Sequence, residues 1–240
     1  MEIPGKMRNE PLRHFVEKHG VDVSSVDTIV CGGKYSAVLL KNGNIGVCAN
    51  LLNDVNVEKA DLNAPDLNRI EHRIILNAYF NANLNYLNRY EKTADIFDGI
   101  DFMKYERIVM IGLFKPLLEK FKKNNIKIHV FDLVKKNGEL VSIKDEMEYI
   151  KKADAIILSA TSIANGTFME IVTHSRENCD IFPLGPSSIM SRDMFGYKNI
   201  KKIFGSIFES HDEKVLDTIK NGYGTKAFLP FGKKVSLSLS

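Results

Sequence analysis

The chain has 240 residues, of which 44% are hydrophobic, and its 33 basic and 30 acidic side chains leave a formal net charge of +3. This hydrophobic content can bury one large core or two modest ones, whereas no stretch reaches the roughly 20 apolar residues that a membrane span needs. The weak positive charge is spread over scattered lysine pairs, which argues against a nucleic-acid-binding protein.

The three cysteines, Cys31, Cys48 and Cys179, stand far apart in the sequence. Without a CxxC pair or an even set, they indicate small buried side chains in a reducing compartment rather than a disulfide framework. The first residues lack the apolar run of a signal peptide. We therefore expect a cytoplasmic protein that does not enter a membrane.

The first part of the chain predicts a helix followed by antiparallel strands. The predicted elements are a helix over 9–19, strands over 26–31, 35–41 and 44–49, and an irregular linker over 51–68. Gly20 is typical of a helix C-cap. Asn42-Gly43 is typical of a type I′ hairpin turn, in which both central residues have positive φ.

A longer helix is predicted from about residue 69 to residue 90. Within it Asn77, Asn81 and Asn85 recur every four residues and therefore share one face. Asparagine is a poor helix former, so three of them in one row need an explanation. One interpretation is a face exposed to solvent, and the other is a polar stripe that lines a cleft between two domains.

After Asp98-Gly99 the pattern changes to short apolar runs that alternate with helices. The predicted strands are 107–112, 127–132, 153–160, 180–184 and 201–205, with helices over 116–124, near 144–151, from about 166 and over 212–220, and with one or two edge strands in 226–239. Strands buried on both faces and joined by helical crossovers predict a parallel, doubly wound sheet. We expect an α/β fold in which a small α+β domain (1–98) precedes a Rossmann-like domain (99–240).

In such a sheet, ligands bind beyond the carboxyl ends of the strands. The loops predicted to lie there are 112–116, 132–136, 161–167, 185–191 and 205–208. The first loop contains only Gly112 of a GxGxxG fingerprint, followed by Phe114 and Lys115, which argues against NAD as a cofactor. Asp132 stands where a ribose-binding acid would lie, so a nucleoside-like or other small polar ligand stays open.

Two of these loops are rich in hydroxyl, amide and backbone N–H groups. Their candidate ligand-binding residues are Thr161, Asn165, Gly166 and Thr167 in one loop and Gly185, Pro186, Ser187 and Ser188 in the other. The first loop opens a helix, which favours an oxyanion site but is equally typical of helix N-capping. The second loop is compatible with a simple turn. Together they favour an oxygen-bearing ligand.

Motifs for a metal site or a known catalytic centre are missing from the sequence. The six histidines show no HxH or HExxH spacing, and neither a GxSxG sequence nor a P-loop occurs. The residues therefore name no catalytic group, no cofactor and no metal-ligand set. Whether the protein is an enzyme stays open at this point.

Several segments are distinctive enough for a family assignment. They are IGLFKPLLEKF (111–121), ADAIILSATSIANGT (153–167), LGPSSIMS (184–191) and GYGTKAF (222–228), preceded by GGKYSAVLLKNGNIGV (32–47) and ILNAYFNAN (75–83). The first four resemble the family known as Putative heavy-metal chelation, from anaerobic bacteria and archaea. The last two resemble the small domain that accompanies it, which has the fold of the enolase N-terminal domain.

The resemblance implies an enolase-N-terminal-like domain packed on a Rossmann-like domain, with a site in the cleft between them. Carried over by position, it places the following residues at or near that site: Tyr35, Asn77, Thr161, Asn165, Thr167, Pro186 and Ser187. The sequence departs from the family's TGT-like loop by reading Ala160-Thr161-Ser162.

We expect a metal-handling protein that binds a small polar ligand or a metal chelate in the cleft. Soft metals prefer thiolate and imidazole ligands, whereas the loops above supply hydroxyl, amide and backbone groups. Our hypothesis is that any divalent or heavy metal is held through a bound organic ligand. The alternatives are an enzyme that makes or modifies a small metabolite or metallophore with a nucleotide-type or methyl-donor cosubstrate, and a non-catalytic interaction module. A homodimer is expected only because dimers are common.

Overall fold

The computed structural model describes residues 9–90, 95–132 and 140–239, which form two β-sheets with helices packed around them. The strands are β1 (Val26–Cys31), β2 (Tyr35–Leu40), β3 (Ile45–Ala49), β4 (Ile108–Ile111), β5 (Ile128–Phe131), β6 (Ala155–Ser159), β7 (Asp180–Leu184), β8 (Lys202–Phe208) and β9 (Gly232–Ser238). The helices are α1 (Pro11–His19), α2 (Ile70–Leu84), α3 (Ile96–Gly99), α4 (Lys115–Lys123), α5 (Glu146–Lys152), α6 (Thr161–Ala164), α7 (Phe168–His174), α8 (Glu213–Lys220) and α9 (Thr225–Phe228). The predicted α/β class is confirmed.

The first sheet is antiparallel, with strand order β1-β2-β3. The predicted hairpin between β2 and β3 is confirmed, but the predicted type I′ turn is wrong, because Gly43 has a φ of +90° and Asn42 does not have a positive φ. Leu40 N–H donates to Asn44 O (2.9 Å) and Gly43 N–H to Leu40 O (2.8 Å). The loop is thus one residue longer than a two-residue turn, and only its last position needs the left-handed conformation.

The second sheet has six strands in the order β5-β4-β6-β7-β8-β9. β5, β4, β6, β7 and β8 are parallel, and β9 pairs antiparallel with β8 along its whole length. This pairing extends β8 to Phe208. The prediction of a ligand loop at 205–208 is therefore wrong, because those residues are strand.

Helix α2 lies directly on the small sheet. Gly46 of β3 makes this possible, because a β-carbon at that position would lie 2.0 Å from the carbonyl oxygen of Ala78. The helix ends at Leu84, earlier than predicted, and continues as a short 3-10 turn, Asn85–Leu87. Nearly every α2 residue from Ile74 onward is buried, so this helix is enclosed by protein and does not have a polar face toward solvent.

The apolar core runs from one sheet to the other. One cluster of buried side chains includes Val38 of the small sheet, Tyr79 of α2 and Ile156 of the large sheet. The outer face of the small sheet is covered by side chains from the C-terminal part of the chain, including Ile219 and Phe228. The division into domains at residues 98 and 99 stays a prediction. No helix among the described residues is long and apolar enough to span a membrane.

Candidate functional site

The asparagine face of α2 binds the loop that follows β7. Asn77, Asn81 and Asn85 are fully buried, with no exposed surface. Their Nδ2 groups donate to backbone carbonyls: Asn77 to Ser187 O (2.9 Å), Asn81 to Pro186 O (2.8 Å) and Ser188 O (3.0 Å), and Asn85 to Ser188 O (3.0 Å). The interpretation of this face as exposed to solvent is therefore wrong.

Asparagine suits this position because a short carboxamide offers two N–H donors and one acceptor. The carbonyls of residues 186–188 have left the sheet and need donors from elsewhere. The Oδ1 atom of Asn85 also accepts the N–H of Met190 at 2.7 Å. The Oδ1 atoms of Asn77 and Asn81 are buried and have no hydrogen-bond partner in the described structure. We call the three side chains the asparagine ladder.

The two serines of this loop are buried, and their hydroxyls form hydrogen bonds within the protein. Ser187 and Ser188 are each 1% exposed. Ser187 Oγ accepts the N–H of Ala49, the last residue of β3, at 3.1 Å. Ser188 Oγ donates to Phe204 O on β8 at 2.7 Å. The Ser187 hydroxyl thus links the small sheet to the large one, and both hydroxyls have partners within the chain.

The strand order of the large sheet reverses between β4 and β6. The loop after β4 leans toward β5: Gly112 N–H donates to Phe131 O and Leu113 N–H to Asp132 Oδ2, each at 2.8 Å. The loop after β6 leans the other way, because Ala160 N–H donates to Leu184 O at 3.0 Å. Diverging loops at such a reversal are where α/β sheets generally bind ligands, and we refer to the place between these two loops as the crevice.

Two hydroxyl groups lie at the β6 side of this crevice. Ser159 Oγ and Thr161 Oγ1 are 2.8 Å apart. Gly112 brings the β4 side close to them, because a β-carbon at Gly112 would lie 2.7 Å from Ser159 Cβ. The φ of +90° at Gly112 also favours glycine there. Thr161 and Gly112 were predicted site residues. Ser159 was missed, although its position at the end of an apolar strand was a usable signal.

The Phe114 ring lies near the glycines that follow β4 and β7. Its ring carbon Cε2 lies 3.9 Å from the β-carbon position of Gly112, and Cε1 lies 3.8 Å from that of Gly185, the residue after β7. The ring therefore reaches from the β4 loop to the β7 loop, past the end of β6. The neighbouring Lys115 is exposed and begins α4. Residues 133–136 of the predicted second ligand loop lie outside the described residues.

The loop at 165–167 connects α6 to α7. Asn165 Oδ1 accepts from Thr167 N–H (3.0 Å) and Thr167 Oγ1 (2.8 Å). Gly166 has a φ of +82° and lies beside the guanidinium group of Arg73. Arg73 also donates to Ala164 O (2.7 Å). Asn165 thus closes an Asx turn on Thr167, whereas α7 has no side-chain N-cap, so the predicted N-capping is wrong. The loop packs on α2 one turn before the asparagine ladder.

Tyr35 lies on the other face of the small sheet from Asn77. Its ring packs edge-on against Phe228, with ring centroids 4.8 Å apart, and its hydroxyl lies 3.1 Å from Thr225 Oγ1. Burial raises the pKa of this phenol. The next residue, Ser36, points toward α2 and bonds to Asn50. The structure therefore does not bring the Tyr35 and Asn77 side chains together.

The cysteine thiols are poorly arranged to bind a soft metal. Cys31, Ser36 and Cys48 are cross-strand neighbours, so Ser36 separates the two cysteines by two strand spacings, about 10 Å. Burial raises the pKa of Cys48 and of Cys179 to about 12, which keeps both thiols protonated at neutral pH. Within the described residues, no three His, Cys, Asp or Glu side chains form a group that could hold a metal ion.

The comparisons with known proteins agree with this fold. A family model, DUF364, described as Putative heavy-metal chelation, matches residues 95–238. The chain belongs to this family. No curated protein matches the chain. The family description does not fit a thiolate-bound metal here, because the thiols are separated and two of them are buried.

Two solved structures of DUF364 proteins share the fold. A protein of unknown function from Pyrococcus horikoshii has a TM-score of 0.77 at 21% identity, covering 89% of this chain and 93% of that one. A protein of unknown function from Desulfitobacterium hafniense DCB-2 has a TM-score of 0.73 at 14% identity, covering 95% of this chain and 96% of that one. At these identities the likeness establishes the DUF364 fold and not an activity.

The asparagine ladder predicts a position-specific effect of charge. Asn81→Asp should place a buried carboxylate against two carbonyl oxygens and lower the free energy of unfolding by roughly 3–5 kcal/mol near neutral pH. Burial would raise the pKa of the new carboxyl in the folded state, so the loss should shrink as the pH falls toward about 4. Urea unfolding at several pH values measures both effects.

Asn63→Asp is the matched control, because the exposed Asn63 also donates through Nδ2 to a backbone carbonyl, Ala60 O (3.0 Å). Its unfolding free energy should change by no more than about 0.5 kcal/mol. Equal losses of unfolding free energy in the two variants would show that the buried ladder position is no more sensitive to charge than the exposed Asn63.

The buried thiol of Cys48 predicts a loss of stability in alkali. Because its pKa is raised from 9.0 to about 12, the folded protein retains a proton that the unfolded chain releases, so stability is full below pH 9.0 and falls as the pH rises toward 12. Cys48→Ala should make this fall shallower in urea unfolding across that range, whereas Cys31→Ala should leave its slope unchanged. A slope that Cys48→Ala does not alter would contradict the assignment.

Proposed function

We propose that this protein binds a small polar, oxygen-bearing ligand in the crevice between β4 and β6, and that a metal reaches the protein as a complex of that ligand. The diverging loops at the strand-order reversal carry this proposal, because they bring the Ser159 and Thr161 hydroxyls to the edge of the sheet where α/β proteins bind ligands. The family description supports a role in metal handling.

The donors around the crevice support an organic ligand rather than a bare soft ion. Hydroxyl and backbone groups suit oxygen-rich ligands and hard cations, whereas soft heavy metals prefer thiolate or imidazole. Cys48 and Cys179, which could supply thiolates, are buried away from the surface with raised pKa values. A metal chelated by its own carrier would need only polar contacts to the carrier from this protein.

We propose that residues 1–98 correspond to an enolase-N-terminal-like domain and residues 99–240 to a Rossmann-like domain, and that the protein works in the cytoplasm. The Ser187–Ala49 hydrogen bond (3.1 Å) lies where the two sheets meet and next to the crevice. A ligand in the crevice would therefore lie near the junction of the two domains.

A second candidate function is an enzyme with a nucleotide-type or methyl-donor cosubstrate. The position of the crevice favours it, because strand-order reversals are where such sheets hold cofactors. The Asp132 carboxylate is the acid that could bind a ribose, and in this structure it accepts Leu113 N–H at 2.8 Å. Binding of a nucleotide or of S-adenosylmethionine at the crevice would favour this candidate.

Thermal shift separates these possibilities. We expect zinc, cobalt or nickel chloride alone to leave the melting temperature unchanged and a citrate complex of one of these metals to raise it. A rise with ATP or S-adenosylmethionine instead would favour the second candidate. A ligand at 100 times its Kd contributes about 2.7 kcal/mol, or roughly 5–11 °C for a chain of this size. Mass spectrometry of any co-purified molecule would extend the set of probes.

Two variants locate the binding. Ser159→Ala with Thr161→Val should remove the shift, because both hydroxyls are lost while the side-chain volumes are nearly kept. Cys31→Ser is the control and should keep the shift. A shift produced by free zinc and abolished by Cys31→Ser would overturn the proposal in favour of direct thiolate binding.

A further inference from the structure

We propose that a surface cavity near the amino ends of β4 and β5 binds a small organic ammonium ion that carries an apolar ring or tail. The cavity has a volume of about 360 Å³, which lies in the range usual for small-ligand sites. It lies at the opposite edge of the large sheet from the crevice, so its ligand is separate from the one proposed there.

The cavity is formed by the segment that leads into β4 and by the turn that leads into β5. The first contains the end of α3 and the 3-10 turn Phe102–Lys104, and the second follows α4. No lysine, arginine or histidine of the described residues lines the cavity. Its apolar lining comes from Phe97, Ile100, Phe102, Met103 and Ile126.

The apolar wall is held in place by a cluster of aromatic rings. Phe102 is 2% exposed, and its ring centroid lies 4.9 Å from that of Phe121 and 6.0 Å from that of Phe182. Phe97 packs against Phe121 at 5.3 Å. Phe97 is only partly buried, however, and Met103 is 75% exposed. A ligand would therefore meet a preformed apolar surface, and covering that surface would favour binding.

Two carboxylates give the cavity a preference for a cation. Asp101 is exposed, and its Oδ1 accepts Met103 N–H at 3.1 Å, which leaves Oδ2 available to a ligand. Asp98 has only a loose ion pair within the described residues, with Lys120 Nζ at 3.8 Å. Two negative charges beside an apolar wall match a molecule that has one positive charge and an apolar body.

The side chain of Lys120 is an example of this recognition within the chain. Its Nζ lies 3.0 Å from Asp95 and 5.7 Å from the ring centroid of Phe97. An ammonium group is attracted both by carboxylates and by the face of an aromatic ring. The same two kinds of group line the cavity, so an ammonium ion from solution would find the environment that Lys120 finds beside it.

The small exposed apolar surface favours a small molecule over a protein partner. Among the apolar lining residues Met103 alone is largely exposed, and the others are buried or partly buried. A stable protein–protein interface buries roughly 800 Å² on each partner, which is far more than one methionine side chain can offer. A ring with a short charged chain fits the cavity better.

NMR of methionine methyl groups tests the location and the charge preference together. The probes are 2-phenylethylamine, 2-phenylethanol and 3-phenylpropionate, which share a ring and differ in charge. We expect the amine to shift the Met103 methyl resonance and to leave that of Met190, which has no exposed surface, in place. The amine should bind at least roughly threefold more tightly than the alcohol, and the propionate should bind least tightly.

Asp98→Asn together with Asp101→Asn should lower the affinity for the amine to that for the alcohol. Both charges are lost, whereas asparagine at 101 can still accept the Met103 N–H. Asp22→Asn is the matched control, because Asp22 is also exposed and accepts a backbone N–H at the start of a 3-10 turn, that of Ser24 at 3.0 Å. This control should keep the advantage of the amine.

Salt gives a further check, because the advantage of the amine should shrink as sodium chloride rises from about 50 mM to about 500 mM. An amine that leaves the Met103 methyl resonance in place would overturn the site. Equal affinities for the three probes would overturn the preference for a cation, as would an advantage of the amine that survives the loss of both carboxylates.

Discussion

The structure depends on the hydrogen bonds that join α2 to the backbone of residues 186–190. The asparagine ladder supplies most of them, and Asn88, just after the helix, adds one from Nδ2 to Met190 O at 2.6 Å. A buried carbonyl without a partner costs roughly 1–3 kcal/mol. The loop can therefore be buried at this junction only because these side chains replace the partners it lost on leaving the sheet.

The ladder also determines the shape of the candidate site. It fixes the loop that begins at Gly185, and the Phe114 ring lies near Gly185. Ser187, held between Asn77 and Ala49, brings the small sheet to the same place. The crevice at Ser159 and Thr161 thus has one wall supplied by the β4 loop and another that α2 holds in position. Its polar groups are hydroxyl and backbone groups, which is why we propose an oxygen-bearing ligand there.

The sequence predicts the parallel sheet well and the ladder poorly, for one physical reason. Strands such as β4 and β6 are buried on both faces, so each is a short apolar run that its own residues are enough to identify. The ladder asparagines instead bind carbonyls more than 100 positions away in the chain. Nothing in a four-residue spacing distinguishes such partners from water, so the sequence alone cannot tell an exposed asparagine face from one that is buried against a loop.

Other predicted site residues do not lie together in the structure, and the reason can be given for each. Tyr35 cannot join Asn77 because its neighbour Ser36 faces α2, and successive strand residues point to opposite faces. Ser187 and Ser188 were recognised as unusual, and the structure binds both hydroxyls inside the protein. Ser159 is not among the predicted ligand-binding residues, and its candidate role follows from its contact with Thr161 and from the neighbouring loops that diverge around it.

Hydrogen exchange of two amides tests the central claim most directly. Met190 N–H donates to Asn85 Oδ1 and Ala49 N–H donates to Ser187 Oγ, so both are protected by side chains across the junction. If the ladder makes α2, the loop and the small sheet one cooperative unit, both amides should exchange with the same opening free energy as the amides in the middle of α2. Exchange of Met190 through a markedly easier opening, while α2 stays protected, would contradict the account.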